Sequence, residues 1–282
     1  MFDSHAHVNF KAFKDDGDDV IKRSLESNTF IINVGSQYST SQRAVEYAQK
    51  FETGVWAAVG IHPIHIKVKS EKLKVESSTP SQSPPQGRGE VYFEEFDYGE
   101  YKKLAENEKV VAIGEVGLDY HHFDGVTGIS EIKEKQKKVL KEFIKLANEV
   151  KKPMAIHCWD AYDDLFEILR KNPIEKRGVV HSFIGSWKTA QKFIEMGYKI
   201  GLNGIITYSE SYDKLIRNID LKDVLIETDC PYLNPKPLPR EDRNEPINVK
   251  YVARKISEVK GIEIDEVERI TAENAKKLFK IR

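Results

Sequence analysis

His5-Ala6-His7 places two imidazoles two residues apart in a short apolar run that reads as a strand. On a strand, residues i and i+2 share a face, so both rings can reach one ion from a single element. An HxH pair alone is more often incidental than ligating. Its weight comes from its company: Glu115, His157, His181 and Asp229 fall at the ends of later apolar runs. Together these residues offer six nitrogen and oxygen donors. One ion that keeps an open position for chemistry rarely uses six protein side chains, whereas two ions sharing a carboxylate use all six and leave room for water. The count itself suggests a binuclear centre.

The remaining histidines carry weaker signals. His62, in Gly60-Ile61-His62-Pro63, is not needed to complete the metal count, and simple loop packing is the competing reading. His65 reads as a surface residue. His121 and His122 are adjacent, and neighbours on an extended segment face opposite ways, so at most one is expected to act. Asp3 and Glu227 share parity with His5 and Asp229, which places them one layer below the metals as partners that orient ligands. Asp229 is expected both to ligate and to orient a water or accept its proton; a helix N-cap before Pro231 is the alternative. Asn203 and Asn244 could meet substrate, although a polar loop residue needs no such role. Cys158 and Cys230 each follow a candidate ligand and should point away from it into packing.

These side chains need a scaffold that gathers them. Eight apolar runs recur, at 1–7, 30–35, 54–62, 110–118, 153–159, 178–183, 198–203 and 223–229, each followed by a polar loop and a helical pattern. The clearest helix is 136–150, where Val139, Leu140, Phe143, Ile144, Ala147 and Val150 repeat at i, i+3 and i+4. Strand and helix alternating eight times predict a single α/β domain over 1–282, a closed (β/α)8 TIM barrel rather than an open doubly wound sheet. Every strand end then opens on one face, and all eight histidines lie at such ends or in the loops just after them. One segment breaks the rhythm: 70–90, after the third strand, is rich in Ser, Pro, Gln and Gly. It reads as a flexible, low-complexity surface insertion, with a substrate lid as the alternative.

Composition removes several function classes. The chain has 282 residues with 44 Lys+Arg and 45 Asp+Glu, a formal charge of −1, so the basic footprint of a typical nucleic-acid-binding domain is missing. No stretch approaches the roughly 18 consecutive apolar residues of a membrane span, and the N-terminus lacks a basic region followed by an apolar one. With two cysteines, a disulfide framework is implausible and a reduced, cytoplasmic setting is expected. No obligate protein partner is implied.

The sequence resembles the TatD family of metal-dependent deoxyribonucleases, a branch of the amidohydrolase-like barrels, over nearly its whole length. The likeness rests on DSHAH at 3–7, VGIHP at 59–63, AIGEVGLDY at 112–120, AIHCWDA at 155–161, HSFIGS at 181–186, ETDCPYL at 227–233 and RNEP at 243–246. It implies that His5 and His7 hold one metal with Asp229, that Glu115 bridges, and that His157 and His181 complete the second site. It also implies a 3′–5′ exonuclease acting on DNA, single strands or 3′ ends, with two divalent ions, Mg for activity. His62 would then donate to the scissile phosphate. Four imidazoles favour Zn, Mn or Fe, so the tightest-bound ion and the ion that supports turnover can differ. Trp159 departs from the pattern, because related sequences often carry Arg there; an aromatic at that point could stack on a base.

Two other readings compete. The same metals could hydrolyse an acyl or ester bond in a small molecule or an aminoacyl-tRNA, which a local basic rim around the mouth would argue against. A non-catalytic, metal-stabilised barrel is the third, and the six donors weigh against it because four close a structural site.

Overall fold

The computed structural model describes residues 1–66, 94–123 and 128–281, so the 70–90 insertion lies outside the described residues. Eight parallel strands run in chain order around one sheet: β1 (Phe2–Ala6), β2 (Phe30–Val34), β3 (Val55–Val59), β4 (Val110–Asp119), β5 (Met154–Trp159), β6 (Gly178–Val180), β7 (Lys199–Leu202) and β8 (Val224–Ile226). Helices alternate with them: α1 (Gly17–Glu26), α2 (Tyr38–Lys50), α3 (Tyr98–Ala105), α4 (Ile129–Glu149), α5 (Tyr162–Lys171), α6 (Trp187–Glu195), α7 (Asp213–Asn218), α8 (Val249–Lys260) and α9 (Ile264–Phe279). This is the (β/α)8 barrel that the alternation predicts.

The seam between β8 and β1 closes mostly beyond the strand ends. Asp229 donates its backbone N–H to the His5 carbonyl at 2.9 Å, and His7 donates to the Cys230 carbonyl at 2.9 Å. Lower down, the Asp3 carboxylate accepts from the Thr228 N–H at 2.9 Å and from its hydroxyl at 2.5 Å. The seam therefore depends on the segments that carry three of the candidate ligands.

Two apolar clusters fill the molecule. The larger lies between strands and helices; α4 contributes Val139, Leu140, Phe143, Ile144 and Ala147 to it, the stripe read from the sequence. Val150, the last residue of that stripe, caps the helix and is half-buried. The smaller cluster joins alternate side chains of the strands, Ile32 and Val34, Ala58, Ala112, Ala155, Val179 and Leu225, to Ala275 and Phe279 of α9. Alternation along β5 thus sends Ala155, His157 and Trp159 one way and Met154, Ile156 and Cys158 the other.

Three strands end three residues before their apolar runs do. β3 stops at Val59 because His62 and Pro63 open a 3-10 turn, with Pro at its first position. β6 and β8 stop at Val180 and Ile226, and Ser182 and Asp229 take left-handed φ of 46° and 58°, which a strand ladder cannot accommodate. The described residues on either side of 67–93 are joined: Glu94 donates its N–H to the His65 carbonyl at 2.7 Å, and Ile66 and Glu94 form a parallel bridge.

Candidate metal centre

All six candidate ligands meet at the C-terminal mouth of the barrel. Glu115 sits at their centre. Its Oε2 lies 3.5 Å from His5 Nε2 and 3.7 Å from His7 Nε2, and its Oε1 lies 2.9 Å from His157 Nδ1 and 2.6 Å from His181 Nε2. One carboxylate oxygen thus faces each half of the cluster. Asp229 Oδ1 is 3.2 Å from His7 Nε2 and 3.9 Å from His5 Nε2. Donor atoms of His5, His7 and Asp229 lie within 4.8 Å of one another, as do those of Glu115, His157 and His181. Two ligands held at ~2.1 Å by one tetrahedral ion stand about 3.4 Å apart, so these separations suit a shared cation.

Local irregularity aims Glu115. Its neighbours Ala112 and Ile113 follow the strand alternation, and the β4–β5 register shifts between Ile113 and Val116, which lets a residue three positions after Ala112 join the inward set. Asp119, four residues on, keeps Glu115's parity and ends the strand.

Hydrogen bonds fix which ring nitrogens face inward. His7 Nδ1 donates to the Val34 carbonyl at 2.8 Å, which leaves the Nε2 lone pair toward Asp229 and Glu115. His157 Nε2 donates to Asp119 Oδ2 at 3.1 Å, which leaves Nδ1 toward Glu115 and His181. Imidazole lone pairs facing a carboxylate need a proton or a cation between them. Both ring nitrogens of His5 are buried with no hydrogen-bond partner among the described residues, and its ring stacks on His181 at 3.8 Å. An unmet buried donor or acceptor costs about 1–3 kcal/mol, which a metal ligand bond removes. The donor set therefore fits divalent cations.

The electrostatics agree. Burial disfavours the Glu115 carboxylate, but its proximity to the His62 and His181 rings and the hydrogen bonds of His157 and His181 hold its pKa well below the usual range. Burial also opposes the imidazolium forms, yet His181 is held well above its ordinary value by Glu115, and His157 is raised by hydrogen bonds to Asp119 and Glu115. His7 is raised as well, burial being offset by Asp229. His5 is lowered by burial and by the His181 charge. Without metal, protons occupy the positions that cations would take.

Other residues singled out in the sequence fall as follows. His62 accepts the Ile64 N–H at Nδ1 (3.2 Å), so its proton sits on Nε2, 3.4 Å from Glu115 Oε1; burial lowers its pKa well below normal and keeps it neutral. Glu227 accepts from the Ser182 N–H at 2.5 Å and lies 3.6 Å from His181 Nδ1, beneath that ring. Asp3 touches no imidazole; it holds Thr228 and the His5 N–H (3.3 Å) and so orders the backbone of the seam. Asn203 and Asn244 are fully buried loop braces: Asn203 bonds Ser182 and Ile205, and Asn244 bonds the Thr228 and Tyr232 carbonyls. Neither is open to substrate. His65 is half-buried beside His62 rather than on the surface. Cys158 and Cys230 are free, buried thiols pointing away from the cluster.

His121 and His122 turn to different acids, His121 Nδ1 to exposed Asp160 and His122 Nδ1 to Asp119, both at 2.8 Å. Trp159 already packs on rings, stacked with His122 at 5.3 Å and tilted over His157 at 5.8 Å. A base would have to compete with the protein's own aromatic contacts there.

Asp119 is the residue that sequence reasoning passed over. It is fully buried, accepts the backbone N–H groups of His121 and His122 at 2.9 and 3.1 Å, and bonds both His122 and His157 through Oδ2. Burial raises its pKa, but these two imidazoles more than reverse the effect and keep it ionised. Its spacing of four from Glu115 along a strand was the available signal.

The sequence matches the family profile described as TatD related DNase over residues 2–280. It is 36% identical to the uncharacterized metal-dependent hydrolase YabD of Bacillus subtilis, covering 100% of this chain and 99% of that protein. It is 28% identical to human deoxyribonuclease TATDN3, covering 99% of this chain and 94% of that protein. Among solved structures, the TatD homolog YJJV of Escherichia coli K12 superposes with a TM-score of 0.79 at 25% identity, over 100% of this chain and 98% of that one.

Proposed function

The chain belongs to the TatD related DNase family of metal-dependent hydrolases acting on ester bonds, and on that premise we propose that it hydrolyses phosphodiester bonds in DNA as a 3′–5′ exonuclease on single strands or 3′ ends. The observation that carries this reading is the central carboxylate of Glu115, with one oxygen facing His5 and His7 and the other facing His157 and His181. In it, His5, His7 and Asp229 hold one divalent ion, His157 and His181 hold a second, and Glu115 is shared. Bound there, two such cations lower the pKa of water and stabilise the charge that a phosphodiester gathers in its transition state. Mg is the proposed ion for turnover; Zn or Mn suit the four imidazoles.

The protein groups divide the remaining work. Asp229 is the most open of the set, its side chain 14% exposed against 0–6% for the five other ligands. In this reading it orients the attacking water and takes its proton at Oδ. His62 holds a neutral Nε2–H beside Glu115 and donates it to a phosphate oxygen in this reading. The barrel works as one catalytic domain over 1–282. Two free thiols suit a reduced, cytoplasmic setting; among the described residues no helix is long and apolar enough to cross a membrane.

The test is hydrolysis of end-labelled single-stranded DNA after chelation, with Mg, Mn or Zn restored, comparing wild type with His157→Ala. Stepwise shortening that requires metal and is lost in the variant supports the proposal. Bound metal without DNA cleavage would move it to the acyl or ester hydrolase, and no metal binding would overturn it.

A further inference from the structure

Two cations rest against one ring at the barrel mouth. Lys236 Nζ and the Arg240 guanidinium carbon each lie 5.4 Å from the Tyr208 ring centroid. Tyr208 stands in the loop after β7, whereas Lys236 and Arg240 stand in the loop that begins at Asp229, after β8. In a parallel barrel both loops border the same opening as the metal centre.

The two loops are locked together. Tyr208 donates its hydroxyl to the Asn234 carbonyl, and Lys236 donates its backbone N–H to Thr207 Oγ1 at 2.9 Å. Asn234, itself buried, ties Pro239 at 2.7 Å. Packing is tight enough that a Cβ at Gly204 would lie 2.0 Å from the Leu233 carbonyl oxygen. The ring is therefore fixed relative to the backbone that carries both cations.

Neither side chain has an ion pair or hydrogen bond among the described residues; adjacent Glu241 pairs with neither. The same chain treats another pair of cations differently. Arg23 and Arg243 share two carboxylates, Arg23 with Glu245 at 2.6 Å and Asp16 at 3.7 Å, Arg243 with Asp16 at 2.5 Å and Glu245 at 3.2 Å. Like charges gathered without an ion-paired counter-charge repel; the Glu241 carboxylate acts on Tyr208 without pairing either cation, and a ring face offsets only part of the repulsion. A polyanion arriving at the mouth would supply the missing charge.

We infer that Tyr208, Lys236 and Arg240 form a docking subsite for the sugar-phosphate backbone of a nucleic-acid strand whose end lies in the metal centre. This rests on the nuclease reading and gives it the local basic rim that a near-neutral composition conceals. The two cations neutralise consecutive phosphates, and the tyrosine fixes their spacing.

The test is fluorescence anisotropy of a labelled oligothymidylate binding the intact, chelated protein across a salt series. On a single strand each phosphate contact removed lowers the slope of log K against log salt by about 0.7. Lys236→Ala/Arg240→Ala is expected to weaken binding at least ~tenfold at low salt and to reduce the slope by about 1.4, with its melting temperature and Mn affinity those of the wild type. Tyr208→Phe keeps the ring and loses only its bond to the Asn234 carbonyl, so it should weaken binding less than the double variant does. If wild type binds and shortens DNA while the double variant keeps its affinity and slope, this inference alone fails. If wild type binds no oligonucleotide, the nuclease reading fails and the subsite with it.

Discussion

Asp119 Oδ2 accepts the Nε2 proton of His157 at 3.1 Å, and so decides which nitrogen of that ring faces Glu115. Carboxylates in this position beneath a ligating imidazole set its tautomer and raise its basicity. Asp119→Asn should lower metal affinity by ~10- to 100-fold, read by competition with a fluorescent chelator, while the barrel still folds by circular dichroism. Unchanged affinity would mean that the bond only packs the strand end.

The protonation pattern sets a pH dependence. The folded-state pKa values of His7, His157 and His181 are raised, so in chelated protein their stabilisation is present below the unfolded value of 6.5 and is lost as pH rises through the folded values. A metal held by these rings would replace those protons, so its binding would release them and tighten with pH. The rise in melting temperature on adding Mn should therefore be larger at pH 8 than at pH 6. An equal rise at both would contradict proton–metal competition at these rings.

His62 separates the roles of donor and ligand. With Nδ1 accepting the Ile64 N–H, its Nε2–H points at the cluster and has no lone pair for a cation. His62→Ala should reduce kcat by ~100-fold, the scale of losing one transition-state donor, and leave the metal content unchanged by elemental analysis. Loss of a metal ion on this substitution would make His62 a ligand instead.

Gly201 on β7 leaves the space into which Glu227 reaches. A Cβ there would lie 2.6 Å from Glu227 Oε2, and Glu227 is fully buried against Ser182. Gly201→Ala should cost about 1–3 kcal/mol in urea denaturation, the usual penalty of overpacking. A neutral result would show that the carboxylate can withdraw from beneath His181 freely.

Much of this arrangement was legible before any coordinates. Eight apolar runs separated by helical patterns carry the barrel, because burial on both faces of a parallel strand leaves a continuous apolar signature. The inward parity of His157 against Cys158 follows from strand pleating alone. Strand ends were less legible: the runs reach His62, Phe183 and Asp229, three residues past the strands, and the left-handed turns at Ser182 and Asp229 leave little trace in composition. Asn203 and Asn244 looked available for substrate because polarity in a loop does not reveal a buried brace. The Tyr208 cluster was invisible because its members belong to two loops and meet only through the fold.

The central claim is a pair of ions joined by Glu115. Its most direct test is electron paramagnetic resonance of the chelated protein titrated with Mn, in wild type and in Glu115→Ala. The account predicts two Mn per chain with the exchange-coupled signal of a bridged pair in the wild type, and loss of that coupling in the variant. A single bound ion, or two that remain uncoupled in the wild type, would contradict it.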